Sequence, residues 1–92
     1  MMGSTDAHAA DYWVQIAATP TRADADRRLA EIVQRNTAVR EAQAAGRIAV
    51  YQHTDKRGVF WRVRIGPFAD HDQARQFCLR LRAEGQSCLP TS

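Results

Sequence analysis

The nine residues Phe60-Trp61-Arg62-Val63-Arg64-Ile65-Gly66-Pro67-Phe68, FWRVRIGPF, alternate between two kinds of chemistry. Side chains of a β-strand point to opposite faces with period two. Trp61, Val63 and Ile65 therefore share one side, and their apolar, partly β-branched character marks it as the core side. Phe60, Arg62 and Arg64 fall on the other. A strand with an apolar face and a face of aromatic and guanidinium groups belongs to a sheet covered by helices on one side only.

Working outward, DKRG (55–58) precedes this strand and suits the turn of a β-hairpin. Before it, RIAVYQHT (47–54) alternates again, with Ile48 and Val50 assigned inward and Tyr51 and His53 outward. DYWVQIAA (11–18) sets Tyr12, Val14 and Ile16 against Trp13, Gln15 and Ala17. Pro20 breaks that strand. From Arg22, the residues Ala25, Leu29, Ile32 and Val33 follow helical spacing. The pattern fits one helix running through Val39 and Ala42 to Gly46, or a break at Asn36-Thr37. After the Gly66-Pro67 strand end, Asp70 and Gln73 resemble a capping pair. Ala74, Phe77, Cys78 and Leu81 keep i, i+3, i+4, i+7 spacing on a helix that Gly85 stops. QSCLP (86–90) is a short last strand.

The order is β-α-β-β-α-β, and the chain weakly repeats itself. A shift of 49 residues lays Tyr12 on Trp61, Val14 on Val63, Ile16 on Ile65, Ala25 on Ala74 and Ile32 on Leu81. The expected fold is α+β, of RNP/ferredoxin-like type: a four-stranded antiparallel sheet with two helices on one face. The other face is left for solvent or a ligand. Trp13, Gln15, Tyr51, Phe60, Arg62 and Arg64 are the candidate residues on it. Flat rings offer stacking area at small entropic cost, and the amide and guanidinium groups supply oriented donors and acceptors.

Composition bounds the function. Ninety-two residues suffice for one domain, and contents of 45% apolar and 25% charged residues are those of a globular protein. No apolar run has the length of a membrane span. MMGSTDAHAA (1–10) has neither the basic start nor the apolar stretch of a signal peptide and is expected to be a disordered leader or expression remnant. The domain is expected at 11–90. A net charge of +3, with twelve arginines among thirteen basic residues, suits an acidic partner without choosing one. His53, His71 and the cysteines lack paired zinc-ligand spacing, so no metal or other cofactor is expected. His71 and Cys78 lie seven residues apart on a helix, about 10 Å, too far for a base to activate a thiol. Asp24, Asp26, Asp70 and Asp72 sit at helix starts, where carboxylates are stabilising. No glycine-rich phosphate loop occurs. These features predict a non-enzyme.

YWVQIAA followed by a helix, and then GVFWRVRIGPFADHDQARQFCLRLRAEGQSC, resemble a SPOR domain, the sporulation-related repeat of bacterial cell-envelope proteins. The resemblance covers about residues 11–90 and is strongest at RVRIGPF, Ala74, LRAEG and the first-strand VQ. It implies the β-α-β-β-α-β fold and non-catalytic binding of peptidoglycan glycan strands stripped of their stem peptides, the material enriched at the division septum. It further implies a periplasmic location as part of an exported or membrane-anchored protein, with a domain that is monomeric and touches no membrane itself. By position, Gln15, Phe60 and Arg62 match binding-face residues of the family. Ala17-Ala18-Thr19 stand where the family usually has a Gly-x-Phe turn, and the span from Leu29 to Gly46 is longer than in typical members. Many SPOR domains carry the same C…G…C pattern, which implies a disulfide between Cys78 and Cys88; two buried thiols are the alternative from the residues alone.

Two rival functions share this topology. An RNA-recognition sheet also stacks ligands on exposed aromatics, but its basic-Gly-aromatic-Gly/Ala-Phe-Val-x-aromatic strand is absent, and arginines stand where it needs rings. The other rival is an envelope domain whose open face is covered by a partner protein.

Overall fold

The structure, a computed structural model, describes residues 11–91. The expectation for residues 1–10 falls outside them. The elements are β1 (Tyr12–Thr19), α1 (Arg22–Arg35), α2 (Thr37–Ala44), β2 (Ile48–Asp55), β3 (Gly58–Phe68), α3 (His71–Ala83) and β4 (Leu89–Thr91). The four strands form one antiparallel sheet in the order β2-β3-β1-β4. This is the α+β arrangement the alternation predicts.

Each helix begins where its sequence supplies an acceptor for orphan N–H groups. The Thr21 hydroxyl accepts from the Asp24 N–H at 3.0 Å, and the Asp70 carboxylate accepts from the Gln73 N–H at 2.8 Å. Gln73 reaches back from the third position to accept from the Ala69 N–H at 3.4 Å, one residue before the cap itself.

The long helical span is divided at Asn36. Its backbone is extended, at φ −128° and ψ 114°, and its Oδ1 accepts from the Val39 N–H at 3.1 Å to start α2. Asn36 is only 2% exposed, so this cap is built into the interior. Glu84, at the end of α3, accepts from the Thr37 N–H at 2.9 Å and ties the two helical ends together. Gly85 ends α3 at φ +85°, a conformation that costs a residue without Cβ little.

The internal repeat maps onto the core. Val14, Val63, Ile16, Ile65, Ala25, Ala74, Ile32 and Leu81 are all buried. Ala25 and Ala74 are fully enclosed in the first turns of α1 and α3, where a methyl lets the helix sit close against the sheet. Ala38, Val39 and Ala42 of α2 complete the layer.

Two irregularities interrupt the β1–β3 ladder. Val14 pairs with Ile65 and Gln15 with Arg64, but the next pair is Ala17 with Val63, so β1 holds one extra residue at Ile16. Between the Val14 and Tyr12 pairs, β3 holds one extra residue at Gly66-Pro67, where the peptide bond is cis. The β1 bulge corrects the expected alternation. Paired residues share a face, so Ala17 lies with Val63 on the helix side rather than with Gln15, and Ala18 takes the outward place opposite Arg62.

The last strand is shorter and later than QSCLP suggests. Only Leu89–Thr91 pair with β1, through Gln15–Trp13. Gln86 stays out of the ladder, its backbone N–H donating to the Leu81 carbonyl of α3 at 3.0 Å. Cys88 precedes the strand and is disulfide-bonded to Cys78 of α3, with Cα atoms 5.7 Å apart.

Candidate functional site

Cross-strand pairing fixes which side chains share the helix-free face. Gln15 pairs with Arg64 and Leu89, and Arg64 with Ala49. Arg62 pairs with Ala18 and Tyr51; Phe60 pairs with His53; Trp13 pairs with Thr91. All six candidates, Trp13, Gln15, Tyr51, Phe60, Arg62 and Arg64, therefore lie on one side of the sheet, opposite the side where Val14, Val63 and Ile65 meet the helices.

Three adjacent strands converge on Arg64. Its guanidinium carbon lies 4.9 Å from the Trp13 ring centroid, on β1, and 4.5 Å from the Tyr51 ring centroid, on β2. An arginine held between two rings gains cation–π attraction on both sides, about 0.5–1 kcal/mol each where exposed. Its N–H groups are what it has to offer a ligand for hydrogen bonding. The Nε atoms of Arg62 and Arg64 are shielded from solvent and have no hydrogen-bond partner in the protein. The face is thus not a set of free rings. It is a wall of ring, guanidinium and ring, with Arg62 two residues along the same strand.

Trp13 reaches Arg64 by crossing Gly66. A Cβ at Gly66 would come within 2.8 Å of the Trp13 ring. The β3 bulge that presents Gly66 is held from behind by Arg47. Arg47 donates to the Gly66 carbonyl at 3.4 Å and to the Pro67 carbonyl at 3.3 Å, and its guanidinium carbon lies 4.7 Å from the Phe68 ring. Its own carbonyl accepts from the Gly66 N–H at 3.0 Å.

At the hairpin end, His53 Nε2 lies 3.5 Å from the Asp55 carboxylate. The Arg57 N–H donates to Asp55 at 2.8 Å, and that bond leads the causes that hold the Asp55 carboxyl below its ordinary pKa. Trp61 lies on the core side and packs against the core, with the Arg22 guanidinium 5.5 Å from its ring.

Leu89 belongs to the same face as Gln15 and is 57% exposed. The alternation does not single it out, although one signal was available. If Cys88 turns inward to meet Cys78, the next residue turns outward. Among the described residues no group of three or more His, Cys, Asp or Glu side chains is placed to hold a metal ion, and no helix is long and apolar enough to cross a membrane.

The sequence pattern of the SPOR domain matches residues 9–91. Among solved structures the chain is similar to the RlpA SPOR domain from Pseudomonas aeruginosa, with a TM-score of 0.55 and 15% identity over 85% of this chain and 96% of that one. It is also similar to the peptidoglycan binding domain of the B. subtilis cell wall lytic enzyme CwlC, with a TM-score of 0.54 and 22% identity over 87% of this chain and 85% of that one. No curated protein sequence matches the chain. At these identities the two structures speak for the fold.

Proposed function

The chain belongs to the SPOR domain family, and from that membership we propose that its helix-free sheet face binds the glycan strands of peptidoglycan without acting on them chemically. The observation that carries this reading is the Trp13–Arg64–Tyr51 stack with Arg62 beside it. Rings and stem carbons offer apolar contact to sugar faces, while guanidinium edges and the Gln15 amide offer hydrogen bonds to oxygens. A base-reading sheet needs free ring faces. Here Trp13 and Tyr51 each turn toward Arg64, which favours a sugar over a base.

The preferred strands are those lacking stem peptides. Removing the peptide frees the lactyl carboxylate of each N-acetylmuramic acid, which is an amide in intact wall. Arg62 and Arg64 then have an anionic acceptor for charge-assisted hydrogen bonds, stronger than neutral ones. The peptide would also obstruct a strand lying flat on the sheet. Because such strands mark the division septum, the domain acts as a targeting module for a parent protein in the periplasm, binding as a monomer. The Cys78–Cys88 bridge suits that oxidising compartment.

Co-sedimentation with purified sacculi, before and after amidase digestion and beside a structureless RNA, tests the reading. Retention should rise on amidase treatment and be absent with RNA. Equal retention on both sacculi would reject the carboxylate account. Replacing Gln15, Phe60 and Arg62 together by alanine should abolish retention while leaving the circular dichroism intact, and full retention by that variant would reject the face.

A further inference from the structure

The β1–β4 ladder stops before β1 does. β4 pairs only as far as Gln15↔Leu89, whereas β1 continues to Thr19. The β1 bulge at Ile16 and the departure of Ser87 from the ladder leave a notch of about 220 Å³ at the edge of the platform, beside Gln15 and Ala18. Close by, the Gln86 amide donates to the Ile16 carbonyl at 3.5 Å.

The lining of this notch differs from the rest of the face. None of its lining residues carries a charge, and its walls are the Leu89 side chain and the Ala17-Ala18 segment. Its polar groups are the Gln15 amide and the Ser87 residue. Leu89 is 57% exposed there. An uncharged recess with an amide donor and acceptor on one side and methyl groups on the other complements a small neutral group of the same make-up. The acetamido substituent of an N-acetylated amino sugar has an amide N–H and C=O and one methyl. An anionic group would find no cation inside the notch, and a hydroxyl would leave Leu89 uncovered.

We propose that the β1–β4 notch is a subsite for the acetamido group of an N-acetylated sugar, with Leu89 and Ala18 as its methyl-binding wall. The proposal rests on the glycan-binding reading above. It assigns Leu89 as a specificity-determining residue and gives Ala18 a role, since a bulkier side chain at that outward position would fill the recess. Arg62 and Arg64 select for charge at the centre of the platform; the notch selects for N-acylation at its edge.

The test compares two polymers that differ by one substituent. Amidase-treated glycan strands are used as they are, or after de-N-acetylation and carbamoylation with cyanate. The second treatment replaces each acetamido methyl by an amino group and keeps the substituent neutral. The intact chain should bind the acetamido strands tighter by about four-fold or more, the value of one buried methyl-sized group. Leu89→Ala, and Ala18→Leu, which fills the notch from an exposed position, should lose that preference and bind the two strands equally. Equal binding of both strands by the unaltered chain overturns the subsite and leaves the glycan reading standing. Retention of the preference by Leu89→Ala overturns the role of Leu89. Binding of neither strand overturns both readings together.

Discussion

Reducing the Cys78–Cys88 bond without changing any residue isolates one contribution to the fold. The bond closes a loop from residue 78 to residue 88, eleven residues counting both ends. On the chain-entropy model a loop of that length stabilises by roughly 2.8 kcal/mol. A domain of this size has a total of about 5–14 kcal/mol, so the bridge is a large share. It matters most at β4, which otherwise holds to β1 through only three paired positions. Equilibrium urea unfolding of oxidised and reduced protein, followed by tryptophan fluorescence, measures the effect. With a denaturant slope of about 1 kcal/mol per molar, the midpoint should fall by about 2–3 M on reduction. The backbone amides of Leu89 and Thr91 should also exchange faster before those of β1 and β3 respond. Coincident unfolding curves would refute the reasoning, because they would mean that the unfolded chain gains no freedom when the bond is opened.

Gly66→Ala places a methyl 2.8 Å from the Trp13 ring. It should destabilise by about 1–3 kcal/mol, as overpacking does, and shift the Trp13 fluorescence as the ring leaves Arg64; an unchanged spectrum would show that the ring does not depend on this glycine. Asp55 is held ionised below its ordinary pKa by the Arg57 N–H. The turn stabilisation this provides should therefore be complete above the ordinary aspartate pKa and lost as pH falls through the lowered value. The Arg57 amide shift, followed by NMR, should titrate at that lowered value and lose its response in Asp55→Asn.

The faces of β2 and β3 were legible because their ladder runs without a break from Asp55↔Gly58 to Ile48↔Ile65. Over that length, β-branched residues alternate with rings and arginines, and period two alone assigns them. β1 was legible only to the bulge. Beyond Ile16 come Ala17 and Ala18, two methyl side chains with no contrast in hydropathy, so the reversal of parity leaves no trace in composition. Asn36 carried a signal, since an Asn-Thr pair inside a helical pattern fits a cap as well as a solvated turn. What selects the cap is burial, which depends on Glu84 and α3 arriving from 47 residues away to meet Thr37. The Arg64 stack was half visible. Alternation put Arg64, Trp13 and Tyr51 on one face, but their convergence requires β3 to lie between β1 and β2, which a local pattern does not encode.

That strand order also governs how the domain is made. In β2-β3-β1-β4 every neighbouring pair joins a strand from the first copy of the internal repeat to one from the second. Neither copy can satisfy its own backbone, and β1, the first strand to emerge during synthesis, waits for β3 and β4. The earliest ladder available to the growing chain is the β2–β3 hairpin, while the sheet as a whole closes only when the last residues arrive. Such non-local closure slows folding.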